Sequence, residues 1–248
     1  MEPKMNSKQE NIWDLNSKWW FENVENGNFP EYSEIIVPLS SKLFLERERI
    51  LDVGTGSGIL ARNIANNSPT HVIGLDLSLE QLLNAVAQDR DGIYIQSDSC
   101  KLPFGSNTFD GVVASMVLEH VESLQDAVSE ISRVLQPNGL FLTILNHPIF
   151  QCPGSGLVED YEVGINNPQW GVGDYLTESS GIEEISEGIR IPFEHRTIST
   201  YINTFVQHGF RIKRVLEPKI MGRESDILGG NIPRLLVIIS EMTAFEII

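Results

Sequence analysis

Between Arg49 and Asn146 the chain changes hydrophobic period again and again, and that alternation admits few folds. Ile50 to Val53 is a short apolar run closed by Gly54. Ser57 to Asn67 then carries Leu60, Ala61, Ile64 and Ala65 on one helical stripe. His71 to Leu75 predicts a second strand and Ser78 to Gln88 a second helix, with Ser78 as its N-cap and Gln81 three residues on. Ile93 to Gln96 predicts a third strand. A Pro/Gly-marked loop precedes a fourth over Phe109 to Ala114. A helix over Leu124 to Leu135 and a Pro137-Asn138-Gly139 turn lead to a fifth over Leu140 to Leu145. Strands alternating with helices of about ten residues build βαβ units. The runs are apolar throughout, so both faces of the sheet must be covered. The expected class is α/β, with a doubly wound, mostly parallel sheet.

The flanks break this rhythm. Residues 1–48 are rich in aromatics (Trp13, Trp19, Trp20, Phe21, Tyr32) and predict one or two helices outside the sheet, as an N-terminal helical lid or as an outer helix packed on it. Residues 147–196 have scattered Pro and Gly without sustained periodicity and form an insertion, too long for a plain connection. Order resumes with a helix over Ser199 to His208, closed by Gly209, and strands over Arg211 to Leu216 and Leu235 to Ser240. A chain of 248 residues is near the upper edge of what one core supports, so 1–248 is expected to be a single domain with an insertion. Its 18 basic and 34 acidic residues give a net charge of -16, which opposes nucleic-acid backbones and anionic membranes. Cys100 and Cys152 make neither a disulfide framework nor a metal site. No apolar run nears the roughly 20 residues of a membrane span, and the N-terminus lacks a signal-peptide core. A cytoplasmic protein is expected.

The sharpest local signal is Asp52-Val53-Gly54-Thr55-Gly56-Ser57-Gly58 at the first strand-to-helix junction. A dinucleotide loop of the form G-x-G-x-x-G, which seats a pyrophosphate on a helix N-terminus, would need Gly or Ala where Ile59 stands. Asp-x-Gly-x-Gly-x-Gly suits instead a cofactor with a cationic head group and no phosphate; a plain strand-helix turn is the alternative. Asp76, ending the second strand, is placed to accept from both hydroxyls of a ribose, or else to cap a helix. Asp98, after the third, is placed to accept an adenine's exocyclic amine, or else to make an Asx-turn.

With Leu102-Pro103-Phe104, Phe109-Asp110, the run Ser115 to Val121 and the run Arg133 to Leu140, these motifs resemble the class I S-adenosylmethionine-dependent methyltransferases, and within them the group acting on small molecules, the type 11-like methyltransferases. The resemblance covers residues 45–147 well and 195–240 loosely. It implies a Rossmann-like, seven-stranded sheet whose last strand is antiparallel, with S-adenosyl-L-methionine across the strand C-termini. It further implies that Asp52 and the loop residues Gly54, Thr55 and Gly56, with the carbonyl of Ser115, hold the methionine ammonium. Asp76 would then take the ribose, Leu77 pack on the adenine, and Asp98 and Ser99 read its edge.

Methyl transfer from a sulfonium is an in-line displacement that needs a base only when the acceptor arrives protonated. His147, after the fifth strand, is the first candidate for that base and His120, after the fourth, the second, with helix capping or a polar spacer as the alternative for either. Trp20 in the aromatic segment, and His195 and Arg196 at the end of the insertion, are candidate substrate contacts; capping by Ser199 and a surface ion pair explain the latter two as well. Residues 151–194 carry Glu159, Asp160, Glu162, Asp174, Glu178, Glu183, Glu184, Glu187 and Glu194 against Arg190 alone. Either a basic substrate is steered there or the surface is simply solvated. The expected function is methyl transfer to an amine or hydroxyl of a small molecule or short peptide. The alternatives are a non-catalytic S-adenosylmethionine-binding regulator or partner subunit, a nucleic-acid methyltransferase, disfavoured by charge and by the Ser115-Met116-Val117-Leu118 run, and a nicotinamide-dependent oxidoreductase, disfavoured by Ile59.

Overall fold

A computed structural model describes residues 11–67, 70–158, 169–220 and 232–243. The aromatic N-terminal segment forms α1 (Ile12–Leu15) and α2 (Ser17–Glu25), followed by a π-helical turn (Tyr32–Ile36) that runs into α3 (Val37–Leu43). The alternating region then gives β1 (Arg49–Val53), α4 (Ile59–Asn67), β2 (His71–Asp76), α5 (Leu79–Gln88), β3 (Ile93–Gln96), β4 (Phe109–Ser115), α6 (Leu124–Val134) and β5 (Leu135–Asn146). Helix α4 starts two residues later than its stripe suggests, because Gly58 sits at φ +79°, outside helical space. Ser78 caps α5, its hydroxyl accepting from the Gln81 N–H at 3.1 Å.

The insertion holds two strand pairs: β6 (Gly156–Val158) with β7 (Gln169–Gly171), and β8 (Ser179–Ser186) with β9 (Ile189–His195). Of its acidic residues, Glu159, Asp160 and Glu162 lie outside the described residues. The chain ends with α7 (Ile198–Gln207), β10 (Phe210–Leu216) and β11 (Leu235–Met242). Thr197, not Ser199, caps α7 by accepting from the Thr200 N–H, and Gly209 follows the helix at φ +84°.

Seven strands make one sheet in the order β10-β11-β5-β4-β1-β2-β3, parallel except for β11, which runs antiparallel to both neighbours. Pro137-Asn138-Gly139 makes an excursion inside β5: Phe109 pairs with Leu135 and Gly111 already with Leu140, with Asn138 at φ +64°. Alternation along each strand feeds two cores. Leu51, Val112, Phe141 and Leu236 face α6 and α7 together with Phe205 and Ile131, while Ile50, Val113, Leu142 and Val237 face α3 and α4 together with Phe44 and Ile64. Each such side chain contributes about 1.5–3 kcal/mol on burial, which is why these strands read as unbroken apolar runs. The order reverses between β1 and β4, so the C-terminal ends of β1, β2 and β4 open onto one crevice. Among the described residues no helix is long and apolar enough to cross a membrane.

Candidate functional site

The loop after β1 has the shape its glycines allow. Gly54, Gly56 and Gly58 lie at φ +69°, +55° and +79°. The N–H groups of Gly54 and Thr55 donate to the Leu75 carbonyl at 2.7 and 2.9 Å, stitching the loop to the end of β2. A Cβ on Gly54 would stand 2.2 Å from Val117 Cγ2, and one on Gly58 2.7 Å from the Tyr94 hydroxyl oxygen. Below the loop, Asp52 is buried and accepts from the Thr55 hydroxyl at 2.7 Å. Burial, reinforced by the nearby Asp76 charge, pushes its carboxyl up to about 7. Asp76 takes the Gly56 N–H on Oδ2 and the Ser78 N–H on Oδ1, both at 2.9 Å, and burial raises its carboxyl as well. Each Asp76 oxygen keeps lone-pair capacity for a further donor.

These groups face a cavity of about 1080 Å³. Asp52, Gly54, Thr55, Gly56, Asp76, Leu77, Asp98, Ser99 and Ser115 all line it. Asp98 also makes the Asx-turn, accepting from the Cys100 N–H at 2.8 Å. Two lining residues, Ser115 and Gln81, carry buried side-chain oxygens (Oγ and Oε1) with no hydrogen-bond partner among the described residues.

Helices α1 and α2 strap one side of this cavity. Asn11 donates to the Leu77 carbonyl at 3.1 Å, and Asp14 accepts from the Ser78 hydroxyl at 2.5 Å and the Glu80 N–H at 3.2 Å, seating α1 on the N-terminus of α5. At the far end of α2, Glu25 accepts from the Ser57 hydroxyl at 2.7 Å and pairs with Arg62 at 2.7 Å. Trp13 lines the cavity and meets the His120 ring edge-on at 5.2 Å.

A second cavity of about 770 Å³ lies between α2, the β4–α6 connection and the insertion. Its wall includes Trp19, Phe29, Phe150, Gln151, Trp170 and Glu183. Four residues line both cavities: Trp20, Tyr32, Met116 and His120. Met116 takes φ +58°, a left-handed conformation rare outside glycine, held by its N–H on the Ile144 carbonyl at 2.8 Å. His120 donates from Nδ1 to the Pro192 carbonyl at 2.7 Å. Burial lowers its pKa to about 4, so the ring is neutral near pH 7 with Nε2 as its acceptor.

Three of the expected site residues, His147, His195 and Arg196, line neither cavity. His147 is fully buried and lines neither cavity; its Nδ1 accepts from the Ile149 N–H at 3.2 Å and its Nε2 meets Glu217 at 2.9 Å. Both nitrogens are thus committed to holding the segment after β5, while His120 lines both cavities. His195 is buried, with Nε2 donating to the Tyr175 carbonyl at 2.9 Å, and lines neither cavity. Arg196 spans to the carbonyls of Leu118, Val121 and Glu122 at 3.0, 2.7 and 2.8 Å, clamping the short 3₁₀ turn (Leu118–His120) that carries His120. Beside it Glu119 is buried, its carboxyl raised to about 7 by that burial, with Oε1 accepting from the Asn146 N–H at 3.1 Å. Sequence reasoning did not single out Tyr32, Gln151 or Trp170 as site residues; Trp170 lacked any signal, standing in a segment without periodicity.

Residues 51–143 match the family described as Methyltransferase domain. A sterol 24-C-methyltransferase of Gibberella zeae is 38% identical over 99 residues, covering 38% of this chain and 26% of that protein. A malonyl-[acyl-carrier protein] O-methyltransferase of Enterobacter lignolyticus is 38% identical over 92 residues, covering 37% and 36%. The match thus spans about a quarter to a third of these relatives' length. Among solved structures, an S-adenosylmethionine-dependent methyltransferase from Mesorhizobium loti superposes with a TM-score of 0.70 at 26% identity, over 82% of this chain and 96% of that one.

Proposed function

Because residues 51–143 form a class I S-adenosylmethionine-dependent methyltransferase domain, we propose that the protein transfers a methyl group to an amine or hydroxyl of a small molecule or short peptide. The observation that carries this is the meeting of two cavities, one lined by the glycine loop and its carboxylates and the other largely aromatic, across Trp20, Tyr32, Met116 and His120.

The first cavity fits the cofactor. Asp52 is a buried carboxylate whose raised pKa falls once a cation stands beside it. Among the described residues Ser115 leaves a buried hydroxyl unpartnered, and Gly56 has nothing within 4 Å of a would-be Cβ. Asp52 and the Ser115 carbonyl would receive the ammonium, Asp76 the ribose hydroxyls, Leu77 the adenine face, and Asp98 and Ser99 its edge. When bound, S-adenosylmethionine supplies a methyl group already activated by the sulfonium charge, so no side chain need act as a nucleophile. The protein's task is alignment, exclusion of water and, for a hydroxyl or ammonium acceptor, removal of one proton.

His120 Nε2 is the acceptor for that proton. Its tautomer is fixed by the Pro192 carbonyl, and it lines both cavities. Tyr32, its neighbour at the junction, is pushed upward by burial and by the Asp52 charge, so its phenol stays protonated. Helices α1 and α2 would serve as the lid and the insertion as the substrate-side wall. The relatives' names specify a sterol carbon and an acyl-carrier oxygen, different acceptors on one domain, so the acceptor here is argued from this chain's own second cavity. A net charge of -16 opposes a nucleic-acid partner, and two free cysteines suit the cytoplasm.

Incubation with methyl-labelled S-adenosylmethionine and the low-mass fraction of a cell extract tests the proposal. Label appearing in a small molecule is the expected result. Cofactor binding without any transfer would contradict it and favour a silent cofactor-binding subunit.

A further inference from the structure

The second cavity has a chemistry of its own. Its wall is aromatic, with the Phe150 and Trp170 rings stacked at 4.4 Å and Trp20 5.8 Å from Phe29. It also carries carboxylates, and their partners differ. Glu31 pairs with Arg234 at 3.6 Å, and that guanidinium lies over the Phe150 ring at 4.6 Å. Glu184 pairs with Arg190 at 3.1 Å. Glu183 has no cation: it accepts from the Gln151 amide N–H at 2.6 Å and forms no ion pair among the described residues. A half-buried carboxylate held only by a neutral amide has lost part of its hydration without gaining a counter-charge, and burial raises its pKa accordingly.

Further acceptors on the same wall lack donors. Gln151 Oε1 and Glu31 Oε2 are buried with no hydrogen-bond partner among the described residues. An ammonium offers three donors and a charge that aromatic faces attract, so it answers both deficits together. The indole N–H groups of Trp20 and Trp170, also buried without acceptors among the described residues, ask for a hydroxyl or carbonyl elsewhere on the same molecule.

We propose that the second cavity is a binding site for an organic ammonium, with Glu183 of β8 as its counter-ion, Gln151 beside it and Trp20, Phe150 and Trp170 as its aromatic walls. This rests on the reading of the cavity as the substrate site and names the substrate class: an aralkyl or similarly apolar amine, cationic on arrival. It also gives the β8–β9 hairpin a function, since that hairpin brings Glu183 over the cavity.

The test titrates phenethylamine, phenethyl alcohol and phenylacetate, alike in size and different in charge, by calorimetry into the full chain with and without saturating S-adenosylhomocysteine. The amine is expected to bind about tenfold more tightly than the alcohol, with phenylacetate weakest. Glu183→Gln should narrow the amine-to-alcohol gap to about threefold or less while S-adenosylhomocysteine affinity stays at the wild-type value, showing that the variant is folded. Trp170→Leu should weaken the amine about fivefold. Equal affinity for amine and alcohol, tighter binding of phenylacetate, or an unchanged gap in Glu183→Gln overturns the proposal. Failure of S-adenosylhomocysteine to bind at all overturns the cofactor reading instead, and the amine series then still decides the charge preference of the cavity.

Discussion

Asp52 gains its interest from what surrounds it: a threonine hydroxyl, close burial, and a pKa raised to about 7. If a ligand's ammonium settles beside it, that pKa drops and a proton leaves on binding. Below pH 7 the free protein holds that proton, so affinity for S-adenosylhomocysteine should fall by up to about tenfold per unit as pH decreases from 7 to 5, and level off above 7. Calorimetry across that range checks this, and a flat profile would contradict it; Asp52→Asn should flatten it. His120 carries a separate expectation. His120→Ala should lower kcat about 100-fold with cofactor affinity changed less than about threefold, and unimpaired turnover would remove its assigned role. The two histidines also show where a sequence stops being legible. His120 and His147 both follow strand C-termini, and nothing local ranks them. Their roles are decided by Pro192 and Glu217, each some 70 positions away in the chain, a distance no periodicity reaches. That Asp52, Asp76 and Asp98 share one cavity was legible because each stands beside a strand end whose position the apolar runs determine.

Among the elements, the parallel strands and their helices could be read directly, since burial on both faces writes itself as continuous apolar runs. The β8–β9 hairpin could not. Most of β8 is exposed, so Ser179 to Ser186 needs no apolar face, and only the turn at Gly188, φ +74°, marks it. The α1–α2 segment could be read as a lid or as an outer helix, but its anchors could not, because Asn11, Asp14 and Glu25 find partners at Leu77 and Ser78 before α5 and at Ser57 and Arg62 around the start of α4. Its contribution is measurable. Asp14 accepts at the N-terminus of α5, so Asp14→Ala should loosen α1 by about 1 kcal/mol. If the strap closes over the ligand, the dissociation constant for S-adenosylhomocysteine should rise about fivefold, through a faster off-rate in stopped-flow chase. An unchanged off-rate would show that α1 merely packs there.

At the scale of the whole molecule, a sheet with two cores positions the ends of β1, β2 and β4, and two further parts are hung beside those ends: the strap on one side, the insertion on the other. Domain architecture therefore says much about the cofactor and little about the substrate, in line with relatives that methylate different atoms on one domain. The claim on which all else depends is that the crevice beyond β1, β2 and β4 takes an S-adenosyl group and not a dinucleotide. Calorimetric titration of the full chain with S-adenosylhomocysteine and, separately, with NAD measures this directly. Saturable binding of S-adenosylhomocysteine at one site per chain, with none of NAD, is the result expected; preferential binding of NAD would contradict the account.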